Sequence, residues 1–215
     1  MDILYRDDDC QIYISPIISD FNKYVEFFRG QTETIINKAQ RLFKSTKRQY
    51  EWLTVRAVLY KIFQHETNIS YSQEGKPFLV DENYNISISH SKEYVVILLS
   101  QSYQVGIDIE AVAPKIVPLC SRIVLPTELP STFNQLSEQQ KSILLTAFWS
   151  TKEATFKSLP CQKDIEMLKD ISIVEYDKQT LLPEKIFTST LGTVNVQCFI
   201  YNNNICSYIK FKHNT

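Results

Sequence analysis

Glycine is scarce in this chain. Only Gly30, Gly75, Gly106 and Gly192 occur among 215 residues, and their spacing builds no G-x-G-x-x-G, no G-x-x-x-x-G-K-[ST] and no G-x-S-x-G. A dinucleotide fingerprint, a P-loop and a nucleophile elbow are thereby excluded. Histidine is scarcer still, with His65, His90 and His213 alone, and His65-Glu66 runs on into Thr67-Asn68, so no H-E-x-x-H zinc helix exists. The five cysteines, Cys10, Cys120, Cys161, Cys198 and Cys206, are odd in number, widely spaced and form no C-x-x-C. That pattern fits reduced thiols better than a disulfide framework or a zinc site. An excess of one charge is also lacking. Lys plus Arg is 23 and Asp plus Glu is 24, a net charge of −1, so there is no overall field for nucleic acid or an anionic membrane. No run of about 18 apolar residues is present to span a bilayer. Residues 1–9 carry Asp7, Asp8 and Asp9 and no apolar core of a secretory signal. These absences lead to the expectation of a cytoplasmic enzyme or binding protein.

What is present is ordinary globular composition, 44% hydrophobic and 22% charged, enough for a substantial core. Residues 11–15 read as a strand. A helical stretch is predicted from about Glu33 to Gln64, with Leu42, Trp52, Val55, Leu59, Ile62 and Phe63 at helical spacing. From Lys38 to Lys61 its polar positions are basic: Lys38, Arg41, Lys44, Lys47, Arg48, Arg56 and Lys61 stand against one acid, Glu51. Such a run is either a solvated face or a surface for a small polyanion. Short strands follow Gly75-Lys76-Pro77, at Ile86/Ile88, at Tyr94 to Ser100 and at Tyr103 to Ile109, the last two read as paired across Ser100-Gln101-Ser102. After a proline-rich section comes a second helix from Ser137 to Leu159, opened by a Ser137/Gln140 capping box and stopped by Pro160. Strands are predicted at Ile171 to Tyr176, Thr193 to Tyr201 and Ile205 to Phe211, the last two flanking an Asn202-Asn203-Asn204 turn. The fold class is α+β, with two similar subdomains, 1–104 and 105–215.

Two clusters carry chemistry. In Val105-Gly-Ile-Asp-Ile-Glu110 the strand period sends Val105, Ile107 and Ile109 to one face and Asp108 and Glu110 to the other. Neighbouring carboxylates favour a cation, and a hard divalent ion accepts one or two carboxylates plus phosphate oxygens. A plain polar strand face has the same pattern. Gly106 would let a ligand approach the backbone. In the second helix Leu144, Leu145, Phe148, Trp149, Phe156 and Leu159 span an apolar arc of about 140°. Lys152 falls inside that arc, so its amine either snorkels out or reaches an anion. Glu153 and Lys157 lie together at the rim, as a helix ion pair or as a third carboxylate and a catalytic amine.

Val105-Gly-Ile-Asp-Ile-Glu110 followed by Phe148-Trp-Ser-Thr-Lys-Glu-Ala-Thr-Phe-Lys157 resembles the two-part signature of the 4′-phosphopantetheinyl transferases, with 44 positions separating Asp108 from Lys152. Gly75-Lys-Pro77, Ile88-Ser-His-Ser91, Lys47-Arg48-x-x-Glu51-x-Leu53-x-x-Arg56 and Thr127-Glu128 are similar to further family elements. The final fifty or so residues resemble nothing diagnostic. The length is similar to the longer, monomeric, pseudo-dimeric type rather than the short trimeric one. Lys92-Glu93, where the family often has small residues, departs from the pattern.

The resemblance implies transfer of the phosphopantetheine arm of coenzyme A to a serine of an apo acyl or peptidyl carrier protein. It implies Mg²⁺ on Asp108, Glu110 and Glu153, with Glu153 as the base, Glu128 as its possible partner, and Lys157 at the departing oxygen. It implies coenzyme A contacts from Arg48, Arg56, Lys76, Ser89, His90, Lys152 and Lys157. Partners in nucleic acid or membrane are not implied. Two other readings stay open, a noncatalytic binder of coenzyme A or of carrier protein, and a Mg²⁺-dependent enzyme acting on another pyrophosphate.

Overall fold

A computed structural model describes residues 1–28, 30–120, 122–159 and 165–212. Pro160, Cys161 and His213 lie outside the described residues. The chain is mixed α+β. Strands β1 (Asp2–Arg6) and β2 (Cys10–Pro16) come first, followed by helices α1 (Thr32–Leu42) and α2 (Thr46–Phe63). Next are β3 (Ile69–Tyr71), β4 (Pro77–Leu79), β5 (Asn85–His90), β6 (Tyr94–Ser100) and β7 (Gln104–Ala111). A one-turn helix α3 (Val117–Cys120) and the long α4 (Glu138–Ser158) precede β8 (Ser172–Tyr176), β9 (Pro183–Thr188), β10 (Gly192–Asn195), β11 (Gln197–Tyr201) and β12 (Asn204–Phe211).

Two antiparallel sheets, ordered β1-β2-β6-β5 and β11-β12-β7, face each other. Strand alternation builds the layers. Ile12, Ile14, Val96 and Leu98 meet Val105, Ile107, Ile109 and Cys206 between the sheets. The opposite faces of β2 and β6, with Tyr13, Val95, Ile97 and Leu99, pack against Val55, Val58 and Leu59 of α2. On the far side α4 covers β7 and β12. Its large residues Leu144, Leu145 and Phe148 share a core with Ile173, Ile186 and Ile209. Sheet β10-β9-β8 closes that core, and β3 pairs with β4 as a separate hairpin.

Several expectations are corrected. The predicted helix over 33–64 is two helices, because Phe43 is extended (φ −131°, ψ 127°) and Ser45 starts α2 from an extended backbone. The Gln49 side-chain amide takes up the Phe43 carbonyl at 2.7 Å, which satisfies the break. Strands β6 and β7 are not paired. The Ser100 hydroxyl accepts from the Ser102 and Tyr103 amides at 3.3 and 3.0 Å, and the turn carries the chain from one sheet into the other. The strand expected over 193–201 is broken at Val196, whose amide turns to the Glu184 carbonyl at 2.9 Å. Strands β1, β3, β4 and β9 are additional. The Ser137/Gln140 capping box is present as expected, and Asn202 and Asn203 form the β11–β12 turn with φ of 44° and 60°.

Gly106 plays a different part from the one expected. A Cβ at this position would lie 1.9 Å from the Ala154 carbonyl oxygen and 2.8 Å from the Ser158 amide nitrogen. What approaches its backbone is helix α4, not a ligand. The facing surface of α4 is correspondingly small, with Ser150, Thr151, Ala154, Thr155 and Ser158 all buried. Its hydroxyls are satisfied locally: Thr155 and Ser158 donate to the Thr151 and Thr155 carbonyls at 2.8 and 2.6 Å, and Thr151 meets Ser207 at 3.1 Å.

Candidate active site

The close seating of α4 on β7 sets Asp108 opposite the last turns of the helix. Asp108 is 3% exposed. Its Oδ1 accepts from Lys157 Nζ at 2.7 Å and from the Ser89 hydroxyl at 2.8 Å, and Lys157 Nζ also reaches Ser89 Oγ at 3.1 Å. Three elements, β5, β7 and α4, therefore meet in one ion-paired cluster. The other oxygen, Asp108 Oδ2, is buried without a hydrogen-bond partner. A buried carboxylate oxygen left so is costly unless something outside the chain completes it.

Lys157 and Glu153 open onto a cleft of about 440 Å³ between the first half of the chain and α4. Its lining includes the charged or titratable Arg48, Glu51, His90, Glu153 and Lys157 and the apolar Phe43, Trp52, Val55, Ile86 and Phe156. Burial pushes the Glu153 carboxyl above its ordinary value, the negative charge of Asp108 raises it further, and Lys157 pulls it back. At the opposite wall Arg48 Nη1 lies 3.0 Å from His90 Nε2. Both stand over the Glu51 carboxylate, at 3.4 and 3.5 Å from Oε2, and Glu51 itself is 4% exposed. Burial lowers the affinity of His90 for a proton; Glu51 opposes this, while Arg48, Lys157 and Lys47 add to it. A depression of similar size beside β9 and β11 contains none of the expected site residues.

The structure distributes the expected site residues unevenly. Arg48, His90, Glu153 and Lys157 line the cleft, and Ser89 and Asp108 lie directly behind Lys157. Arg56 stacks on Trp52, its Cζ 3.5 Å from the ring centroid, and burial lowers its pKa to about 10. Lys76 sits between the cleft residues Gly75 and Pro77, yet its amine donates to Gln104 Oε1 at 3.0 Å and to the Ser158 carbonyl at 3.2 Å. It thereby caps the negative end of α4. Glu110 is half-buried two positions beyond Asp108, and its charge is felt by the Cys120 thiol, which burial pushes up to about 12.

Lys152 and Glu128 are apart from the cleft. Lys152 has no exposed surface, and its amine donates to Glu128 Oε2 and to the Ile123 carbonyl, each at 2.9 Å. Glu128 is 7% exposed and also accepts from the Leu125 amide at 2.6 Å and the Ile173 amide at 2.7 Å. Glu128, expected as a partner to the base, and Lys152, expected as a phosphate ligand, here form a buried pair tying α4 to the 123–128 turn and to β8. The anion demanded by the position of Lys152 in the apolar arc is a carboxylate of the same chain.

Sequence reasoning missed Glu51, Trp52 and Phe156 as cleft residues. Glu51 carried a signal, as the single acid in a run of seven bases. Trp52 and Phe156 carried none, because an apolar residue of a helix reads as core whether it faces a core or a cleft.

Among the described residues no group of three or more His, Cys, Asp or Glu is arranged to hold a metal by itself. The donor set nevertheless fits a divalent cation that completes its shell with ligand oxygens: Asp108 Oδ2 is orphaned, and Asp108 and Glu153 are near enough to raise the latter's pKa.

Residues 104–202 match the 4′-phosphopantetheinyl transferase superfamily. Similar proteins include slr0495 of Synechocystis sp., named for the same activity, at 29% identity over 98 residues, covering 43% of this chain and 39% of the relative. The 4′-phosphopantetheinyl transferase HetI of Nostoc sp. is 28% identical over 99 residues, covering 43% and 41%. The 4′-phosphopantetheinyl transferase AcpT of Escherichia coli O157:H7 is 35% identical over 69 residues, covering 32% and 35%. The matching stretch thus spans well under half of each relative. Residues 104–202 begin with β7 and include Asp108, Glu110 and all of α4. Residues 104–202, a little under half of the chain, are thus the part similar to the 4′-phosphopantetheinyl transferase superfamily.

Proposed function

We propose that the protein transfers the 4′-phosphopantetheine arm of coenzyme A to a serine hydroxyl of an apo acyl or peptidyl carrier protein and releases adenosine 3′,5′-bisphosphate. The observation carrying this reading is the Lys157–Asp108–Ser89 cluster beside Glu153, at one end of a cleft whose other wall presents Arg48 and His90. The match of residues 104–202 to the superfamily and the names of the relatives support the same chemistry. The first 104 residues contribute the coenzyme-binding half and residues 105–215 the catalytic half, two similar α+β units within a monomer.

The reaction forms a bond from the serine oxygen to phosphorus and breaks the bond to the pyrophosphate bridging oxygen. Glu153, its pKa raised by burial and by Asp108, takes the serine proton. Lys157, oriented by Asp108 and Ser89, donates to the departing bridge oxygen. Arg48 and His90 hold a phosphate at the far wall, and Trp52, Val55 and Phe156 exclude water from the ligand between them. Asp108 and Glu153, with Glu110 nearby, would hold Mg²⁺, which when bound supplies positive charge to the phosphoryl oxygens.

Incubation with coenzyme A, Mg²⁺ and an apo carrier protein, followed by intact mass measurement, tests the proposal. A carrier heavier by one phosphopantetheine, with no gain for Glu153→Ala, is the expected result. No gain with several acyl and peptidyl carriers would overturn it.

A further inference from the structure

A buried carboxylate beneath two anion-binding side chains is costly in a site built for phosphates, so Glu51 requires an explanation. It is 4% exposed, whereas Arg48 and Lys47 above it are about three-fifths exposed, at 59% and 61%. Its Oε1 faces Lys47 and its Oε2 faces both Arg48 Nη1 and His90 Nε2. A solvated helix ion pair would leave the acid in water. This one is turned inward, to the floor of the cleft.

The geometry at His90 Nε2 explains the arrangement. A guanidinium can only donate. The 3.0 Å contact therefore makes Nε2 an acceptor from Arg48, and places the proton of a neutral imidazole on Nδ1. At 3.5 Å on the same nitrogen stands Glu51 Oε2, which can only accept. The ring nitrogen is thus offered a donor by one neighbour and an acceptor by the other, and it can satisfy one at a time. With Arg48 on Nε2, the ring is neutral. When Arg48 swings to an arriving phosphate, Nε2 is released, takes a proton from solvent and donates it to Glu51. His90 then carries a positive charge that the phosphate also favours.

We propose that Glu51 is a positioning residue of the phosphate-binding wall: it takes over His90 Nε2 when Arg48 turns to the ligand, so that anion capture is coupled to uptake of one proton. The other charged groups facing His90 are Lys47 and Arg48 of α2 and Lys157 of α4, with Glu153 lining the same cleft. All three cations disfavour the imidazolium, which leaves Glu51 as the group acting in its favour. Glu51 touches neither reacting atom.

This inference rests on the coenzyme A reading of the cleft, and its test separates the two. Coenzyme A is titrated calorimetrically into the wild type, Glu51→Gln, His90→Gln and the double variant, in two buffers of different protonation enthalpy at one pH. The expected result is net proton uptake by the wild type, lost in each variant, and binding about tenfold weaker for Glu51→Gln, as for loss of a hydrogen bond to a charged group. In the carrier-loading assay KM for coenzyme A rises with little change in kcat. In the double variant Glu51→Gln adds nothing to His90→Gln. Wild-type binding without proton uptake, or equal loss of affinity in the presence and absence of His90, overturns the role of Glu51 and leaves the transferase reading intact. Absence of wild-type binding and loading overturns both. Circular dichroism of each variant checks the fold; if Glu51→Gln unfolds, the comparison of wild type with His90→Gln decides.

Discussion

Five residues apart on one helix, Lys152 and Lys157 each pair with an acid at close range, yet the two pairs have opposite characters. Lys152–Glu128, at 2.9 Å, is sealed, with 0% and 4% of the side chains exposed, and the amine and both carboxylate oxygens are hydrogen-bonded within the chain. Lys157–Asp108, at 2.7 Å, leaves the amine 26% exposed on a cleft and one carboxylate oxygen unsatisfied. The first is finished; the second is arranged for something that comes and goes. The difference is one of completeness rather than of strength, since a buried pair is strongly missed only when one partner is removed.

Substitutions can break this contrast, and their effects on unfolding free energy should fall in a definite order. Gly106→Ala comes first, since its Cβ would meet the backbone of α4 at 1.9 Å and lift the helix that carries both lysines. The loss should exceed the about 1–3 kcal/mol of ordinary overpacking, and denaturant unfolding should show the chain partly unfolded in buffer. Lys152→Met strands a buried carboxylate and should cost about 3–5 kcal/mol. Adding Glu128→Gln should recover part of this, because the amide oxygen still accepts one of the two backbone N–H groups. Lys157→Met should cost less, about 1–3 kcal/mol, since the Ser89 hydroxyl still donates to Asp108. Carrier loading should nevertheless fall by at least about 100-fold, as for a lost donor to developing charge. A variant at Lys157 that is both unstable and inactive would erase the distinction.

The smallest effect concerns Glu153 and pH. Its carboxyl is held above the ordinary 4.5 by burial and by Asp108, so the folded chain binds more protons than the unfolded one in the window above 4.5. Wild-type stability should therefore fall, relative to Glu153→Gln, as pH rises from below 4.5 through the folded value, and the gap should then level off. Thermal unfolding in a chelator across that range reads the sign directly. Added Mg²⁺ should narrow the gap by offsetting the repulsion between Glu153 and Asp108.

The same contrast marks what could be read from the sequence. The wheel placed Lys152 inside an apolar arc and required an anion, which is present, but whether that anion was a ligand phosphate or Glu128 depended on a contact between residues 24 positions apart, across a loop and half of α4. Alternation put Asp108 and the core residues of β7 on opposite faces, as found. The strands were legible where they were long and apolar, as β6 and β12 are, and were missed where they were short or polar, as β1 and β4 are. The Ser100–Tyr103 turn looks like a hairpin locally, and only the inter-sheet core reveals that it is a crossover. Gly106 was singled out correctly and misread, because a missing side chain signals close approach without naming what approaches.

Contact between strand and helix at residue 106 has a consequence for how such a protein can change over generations. Elsewhere in the molecule, layers are held apart by side chains whose volumes can drift. Here main chain rests on main chain at Ala154 and Ser158, so the offset between Asp108 and the 153–157 turn is a dimension of the polypeptide itself. Methylenes can be exchanged throughout the surrounding hydrophobic clusters without retuning the distance between the acidic strand and the amine that serves it.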